Sequence, residues 1–180
     1  MPLLRAERAA TLHRAAKRFQ FGTRLGTDGD GKVLTDFGSL HDRAYRAYNM
    51  AMDGNGKIVV AGESFNGANH DFALARYNAD GSLDTSFDGD GKVLTDFGFS
   101  NTGEGVYSVA IDGNGRIVAA GTAGNGANDA FALARYNTDG SLDTTFNGSG
   151  KRTTDFGSGD DIAFDVAIQP DGKIVAAGQT

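Results

Sequence analysis

The chain contains no cysteine and no tryptophan, and only 2 prolines in 180 residues. Without cysteine there is no disulfide, no thiolate metal centre and no cysteine nucleophile. That absence does not assign a compartment. Long apolar runs are missing too. No stretch approaches the roughly 18 residues that a membrane helix needs. Residues 1–20 lack an apolar h-region and do not read as a signal peptide. Positive charge is scarce, with 17 Lys and Arg against 23 Asp and Glu and a formal charge of −6. Nucleic acid, whose phosphates demand a basic face, is therefore not an expected partner.

Glycine is abundant, at 27 residues, while the apolar fraction of 39% is that of a globular protein. The combination fits many short strands joined by tight turns. Asp28–Gly38 (DGDGKVLTDFG) recurs letter for letter at Asp88–Gly98. Phe72–Gly98 returns at Phe131–Gly157 with few changes. A fixed period of about 60 residues marks a stacked or radial architecture.

Each period reads as four strands. In one copy Val106–Ile111 alternates, Asp112-Gly113-Asn114-Gly115 turns, and 116–120 returns as the partner. Alternating β-branched residues around such a turn predict a hairpin. A loop over 121–130, a third strand over 131–136, a long turn over 137–150 and a fourth strand over 151–156 complete the unit. The other copy predicts strands at 48–52, 57–61, 72–77 and 92–97. Four antiparallel strands per period favour a β-propeller over a sandwich. Residues 1–20 stand apart as a non-repeat segment ahead of the repeat domain over 21–180. They read either as a short helix rich in Ala, Leu and Arg or as foreign sequence ending in a decayed copy, with 17–20 answering to 75–78.

The motifs FALARYNxDGSLDTxF, then GKxxTDFG, then a VAI-turn-IVAAG hairpin resemble the delta-60 repeat family of bacterial propeller proteins over residues 28–180. The blade order is also similar to that of NHL-type propellers. The resemblance implies an all-β propeller of four-stranded blades, a scaffold or surface role, and a setting that is often extracellular. It implies no transferable active site.

With strands lettered a to d from the axis outward, the chain carries a lone d strand at 32–37, two full blades, and a final a–b pair at 164–168 and 173–177. These three blade-equivalents fall short of the four to eight that close a propeller. An open fan leaves sheet edges and apolar faces in water. A two-fold homodimer closing a six-bladed ring is the expected remedy, with residues 15–20 as a candidate for the missing c strand.

The Asp/Gly turns offer oxygens of the type Ca²⁺ prefers. The candidates are Asp80, Asp84, Asp88, Asp90, Asp139 and Asp143, with Asp165 on the inner strand near the axis beside Asn49 and Ser108. None completes an EF-hand loop, and the bland reading is that Asx residues cap turns. Arg76 and Arg135 are expected to pair with Asp96 and Asp155 as structural ion pairs. Function is expected among residues that break the repeat, on the d-to-a and b-to-c loops at one face, since variation on a fixed scaffold marks specificity. That loop face carries His41, Asp42, Arg43, Glu63, Ser64, His70, Asp71, Glu104 and Asp129. Two functions are consistent with these residues. One is a binding or scaffold module that presents the loop face to a ligand or protein. The other is a small hydrolase of esterase or lactonase type using His41, His70, Ser64 and Asp71, or a metal near the axis.

Overall fold

The computed structural model describes residues 19–21, 33–37, 45–98, 104–124, 126–157 and 159–180. Among them there are twelve strands and no helix. The first sheet contains β1 (Phe19–Phe21), β2 (Val33–Thr35), β3 (Tyr45–Met52), β4 (Ile58–Phe65), β5 (His70–Tyr77) and β6 (Lys92–Thr95), in the order β2-β1-β3-β4-β5-β6. The second contains β7 (Gly105–Ile111), β8 (Ile117–Gly124), β9 (Asp129–Tyr136) and β10 (Lys151–Thr154), in the order β10-β9-β8-β7. The third is the hairpin of β11 (Ile162–Ile168) and β12 (Ile174–Gln179). Strands β3 to β6 and β7 to β10 are thus two copies of one antiparallel four-stranded blade, and β11–β12 is the inner half of another.

Of the segment read either as a short helix or as foreign sequence ending in a decayed copy, residues 1–18 lie outside the described residues, and Phe19–Phe21 is a strand. β1 runs parallel to β2, the edge strand of the first sheet, and pairs antiparallel with the start of β3.

The a–b hairpins form because an Asx side chain organises the turn. Asp53 Oδ1 accepts the backbone N–H groups of Asn55 and Lys57 at 2.8 and 2.9 Å, and Asp112 does the same for Asn114 and Arg116. Gly56 and Gly115 close these turns at φ near 80°, where a side chain is strained. The b–c connections are shorter than the sequence predicts. β4 and β5 pair as far as Phe65 with His70, so Glu63, Ser64, His70 and Asp71 are strand residues, and only 66–69 turn.

Each inner strand carries a bulge, with the register shifting at Tyr48, Tyr107 and Phe164. Gly121 lies opposite the second bulge. A Cβ there would sit 1.8 Å from the Gly105 carbonyl oxygen, so the close backbone approach excludes any side chain.

Adjacent sheets pack face to face. One core gathers Val59, Phe72, Leu74 and Val93 of the first sheet with Val106, Ile117, Ala132 and Tyr136 of the second. Another joins Val118, Ala120 and Phe131 to Ala163 and Val166 of the third. Polar contacts recur at the junctions. The Tyr136 hydroxyl donates to Thr95 Oγ1 at 2.8 Å, and Tyr77 and Thr35 form the equivalent bond at 2.5 Å. Lys151 Nζ donates to the Asp96 carbonyl and lies over the Phe97 ring, as Lys92 does with Asp36 and Phe37.

The expected ion pairs are corrected. Arg76 pairs with Asp84 at 2.6 Å and Arg135 with Asp143 at 2.8 Å, not with Asp96 and Asp155. The SLDT segment folds back so that Asp84 N–H donates to the Arg76 carbonyl and Leu83 bridges Tyr77, which brings its carboxylate under strand c. Asp96 and Asp155 instead cap their own turns, accepting the N–H groups of Gly98 and Gly157.

Candidate functional site

At the junction of the first two sheets, three carboxylates meet. Asp71 is the second residue of β5, Asp96 follows β6, and Glu104 precedes β7. One oxygen from each lies within 4.8 Å of the others. Glu104 is held by its surroundings. Both of its oxygens accept the Phe97 N–H, at 2.9 and 3.1 Å, and its own N–H donates to the His70 carbonyl at 3.2 Å. Asp96 Oδ1 is engaged by Gly98, and Asp71 Oδ2 accepts from the Asn66 amide at 2.8 Å.

Glu104 is fully buried, Asp71 is 4% exposed, and Asp96 is exposed. Burial pushes the Glu104 carboxyl up to about 7 against the lowering effect of the Phe97 N–H, and the charges of Asp96 and Asp71 push it the same way. Burial also raises the Asp71 carboxyl. Asp71 Oδ1 is buried without a hydrogen-bond partner. Ser64 lies directly opposite Asp71 in the β4–β5 register, and its Oγ is likewise buried and unpartnered. Directly opposed residues share a sheet face, so this hydroxyl stands on the face that carries the Asp71 side chain.

His70 is on the other face by strand alternation. There its ring packs on Phe65, with centroids 5.4 Å apart. Its Nδ1 and the Ser64 Oγ each lack a hydrogen-bond partner, so Ser64 and His70 are not joined as nucleophile and base. His41, Asp42 and Arg43 lie outside the described residues. Glu63 accepts from the Tyr48 hydroxyl at 3.5 Å, and its Oε2 reaches Gly105. Asp129 belongs to the second junction, where its carboxyl is raised by burial and by Asp160.

The turn aspartates are engaged locally. Asp80 and Asp139 accept both the N–H and the hydroxyl of Ser82 and Ser141. Burial alone would raise the Asp84 carboxyl, but hydrogen bonds from Lys57, Ser86 and Arg76 hold it far below the usual range. Asp143 is lowered by the Thr145 hydroxyl and by Arg135. Asp88 adopts φ 52° in its turn and is raised by burial beside Asp90 and Asp139, while Asp90 pairs with Lys92 at 3.2 Å. Asp165 accepts from Ser108 Oγ at 2.9 Å, linking neighbouring inner strands.

Two features carry little signal in the sequence. Asp96 repeats as Asp155 and so does not stand out as a site residue. The bulge residues form a ladder across all three sheets, with ring centroids 5.0 Å apart for Tyr48 and Tyr107 and 5.8 Å for Tyr107 and Phe164. An aromatic at the same register of each inner strand was the available signal.

A family model described as a β-propeller domain of unknown function (DUF5122) matches residues 54–87 and 113–146. Each match runs from an a–b turn through strands b and c to the turn before d. The two matched segments are similar to β-propeller repeats. No curated protein matches the chain. This similarity and the antiparallel four-stranded sheets agree with the all-β, propeller-like part of the expected fold class.

Proposed function

We propose that the chain is a binding or scaffold module whose loop face, where the repeats diverge, receives a ligand or a protein. One observation carries this reading. Among the described residues, the buried side-chain atoms without hydrogen-bond partners, Ser64 Oγ, His70 Nδ1, Asp71 Oδ1 and Asp161 Oδ1, all lie on the loop side. The aromatic ladder supplies flat apolar surface on the inner strands, with Phe164 48% exposed. A cleft of about 700 Å³ opens on the opposite face, but Lys57 and Arg76 in its lining are already paired with Asp84. The unlinked Ser64 and His70 give the hydrolase reading no geometric support.

Glycan and peptide arrays probed with the intact chain test the proposal. Tyr107→Ala and Glu63→Ala are expected to weaken any hit at least tenfold, with Asn114→Ala on the turn face leaving it unchanged. Hydrolysis of model esters that Ser64→Ala removes would sink this reading in favour of the enzyme.

The fan is proposed to close by pairing with a second copy. Phe156, Phe164 and Val175 are 57%, 48% and 48% exposed around the two-stranded third sheet, as a face awaiting a neighbour is. A folded monomer in sedimentation velocity at micromolar concentration refutes this.

A further inference from the structure

We propose that Asp71, Asp96 and Glu104 form a divalent cation site, with Ca²⁺ as the favoured ion. The three carboxylate oxygens lie within 4.8 Å of one another. An ion bonding oxygens at about 2.3–2.6 Å spans that separation. An independent observation points the same way. The Ser64 hydroxyl, 0% exposed, is buried without a partner directly opposite Asp71, on the face that carries the Asp71 side chain. Asp71 Oδ1 is equally unsatisfied at 4% exposure. Buried polar atoms ordinarily have partners, and one cation supplies a partner to both.

The donor set is all oxygen, which suits hard cations rather than zinc or copper. His70, on the opposite face, is not a ligand. Exposed Asp96 leaves the site open to solvent for entry and for water ligands. Lys151 is the nearby competing cation, but its ammonium is directed to the Asp96 carbonyl at 2.7 Å. The site is distinct from the Asp/Gly turns and from Asp165. It arises where repeat-breaking residues meet a repeated one. Asp71 and Ser64 are replaced by Ala130 and Ala123 at the corresponding register of the second blade.

The test uses the whole chain, stripped with chelator and titrated with CaCl₂, MgCl₂ or MnCl₂ alone. Calorimetry is expected to show one Ca²⁺ per chain with a sub-millimolar Kd, together with a rise in Tm. Asp71→Ala places at this position the residue the second blade already carries, so folding is retained. It should weaken Ca²⁺ binding at least thirtyfold and abolish the Tm response, and Ser64→Ala should weaken binding several-fold. Asp90→Asn in an Asp/Gly turn should leave both readouts unchanged. No binding by the folded wild-type chain up to 5 mM of any of the three ions overturns the proposal. So does binding that Asp71→Ala leaves intact.

Discussion

The two junctions between sheets are built from the same letters and differ in what they hold. At the junction of the first and second sheets Tyr136 of strand c reaches Thr95 of the preceding d strand and Lys151 caps the Asp96 carbonyl, as Tyr77 and Lys92 do with Thr35 and Asp36 within the first sheet. At the junction of the first and second sheets, Glu104 receives the Phe97 N–H, and Asp71 and Asp96 crowd against it. At the junction of the second and third, Asp161 receives the Phe156 N–H at 2.7 Å in the same way. There Ala130 stands in place of Asp71, and Thr122 Oγ1 donates to the carbonyls of Ala130 and Asp161. The loop-anchoring carboxylate is therefore architecture, present at both. The carboxylate cluster is an addition made by Asp71.

Substitutions can break this comparison. The largest effect is expected in the shared scaffold. Gly121→Ala drives a methyl into the Gly105 carbonyl, which backbone cannot evade cheaply, and denaturant titration should show a loss of about 3 kcal/mol or more. Ala130→Asp asks the second junction to imitate the first. Ala130 is fully buried, so in chelator the new carboxylate should cost about 2–3 kcal/mol. A smaller penalty in Ca²⁺ would show that the cluster is portable. A cost near zero in chelator would show that the two junctions differ in more than this side chain.

Tyr136→Phe leaves Thr95 without its buried partner. It should lower stability by about 1–2 kcal/mol, while leaving the calcium response of the first junction intact. The smallest effect concerns acid. The Asp84 and Asp143 carboxyls are both held low by hydrogen bonds and cations. Their contribution is full above the ordinary carboxylate pKa of about 4 and fades as pH falls through the depressed folded values. Asp84→Asn and Asp143→Asn should each flatten the acid limb of a pH–Tm profile by a similar amount. A marked inequality would mean that the blades are less equivalent than their geometry.

The blades were legible because periodicity and turn chemistry are local. The alternation of FALARY and the Asp-Gly-Asn-Gly turns predict β5, β9 and the a–b hairpins directly. The cluster was only half legible. Asp71 and Glu104 stood out as repeat-breakers, but Asp96 was hidden because it repeats. A repeated side chain becomes distinctive only through its neighbours, and those are fixed by how one sheet packs on the next. The same reason misdirected Arg76, whose partner depends on the SLDT segment folding back under strand c. The strand at Phe19–Phe21 had a fainter signal, the decayed copy in which 17–20 answers to 75–78 at the end of strand c.

The tyrosine–threonine bond has a consequence for inheritance. A sheet copied alone would carry a buried phenol whose acceptor stayed behind in the parent gene. A copy that begins with a d strand and ends with the next c strand carries donor and acceptor together. The self-sufficient cassette of this architecture is thus the seam between two blades, and lengthening or shortening the array by whole seams is the change selection can tolerate.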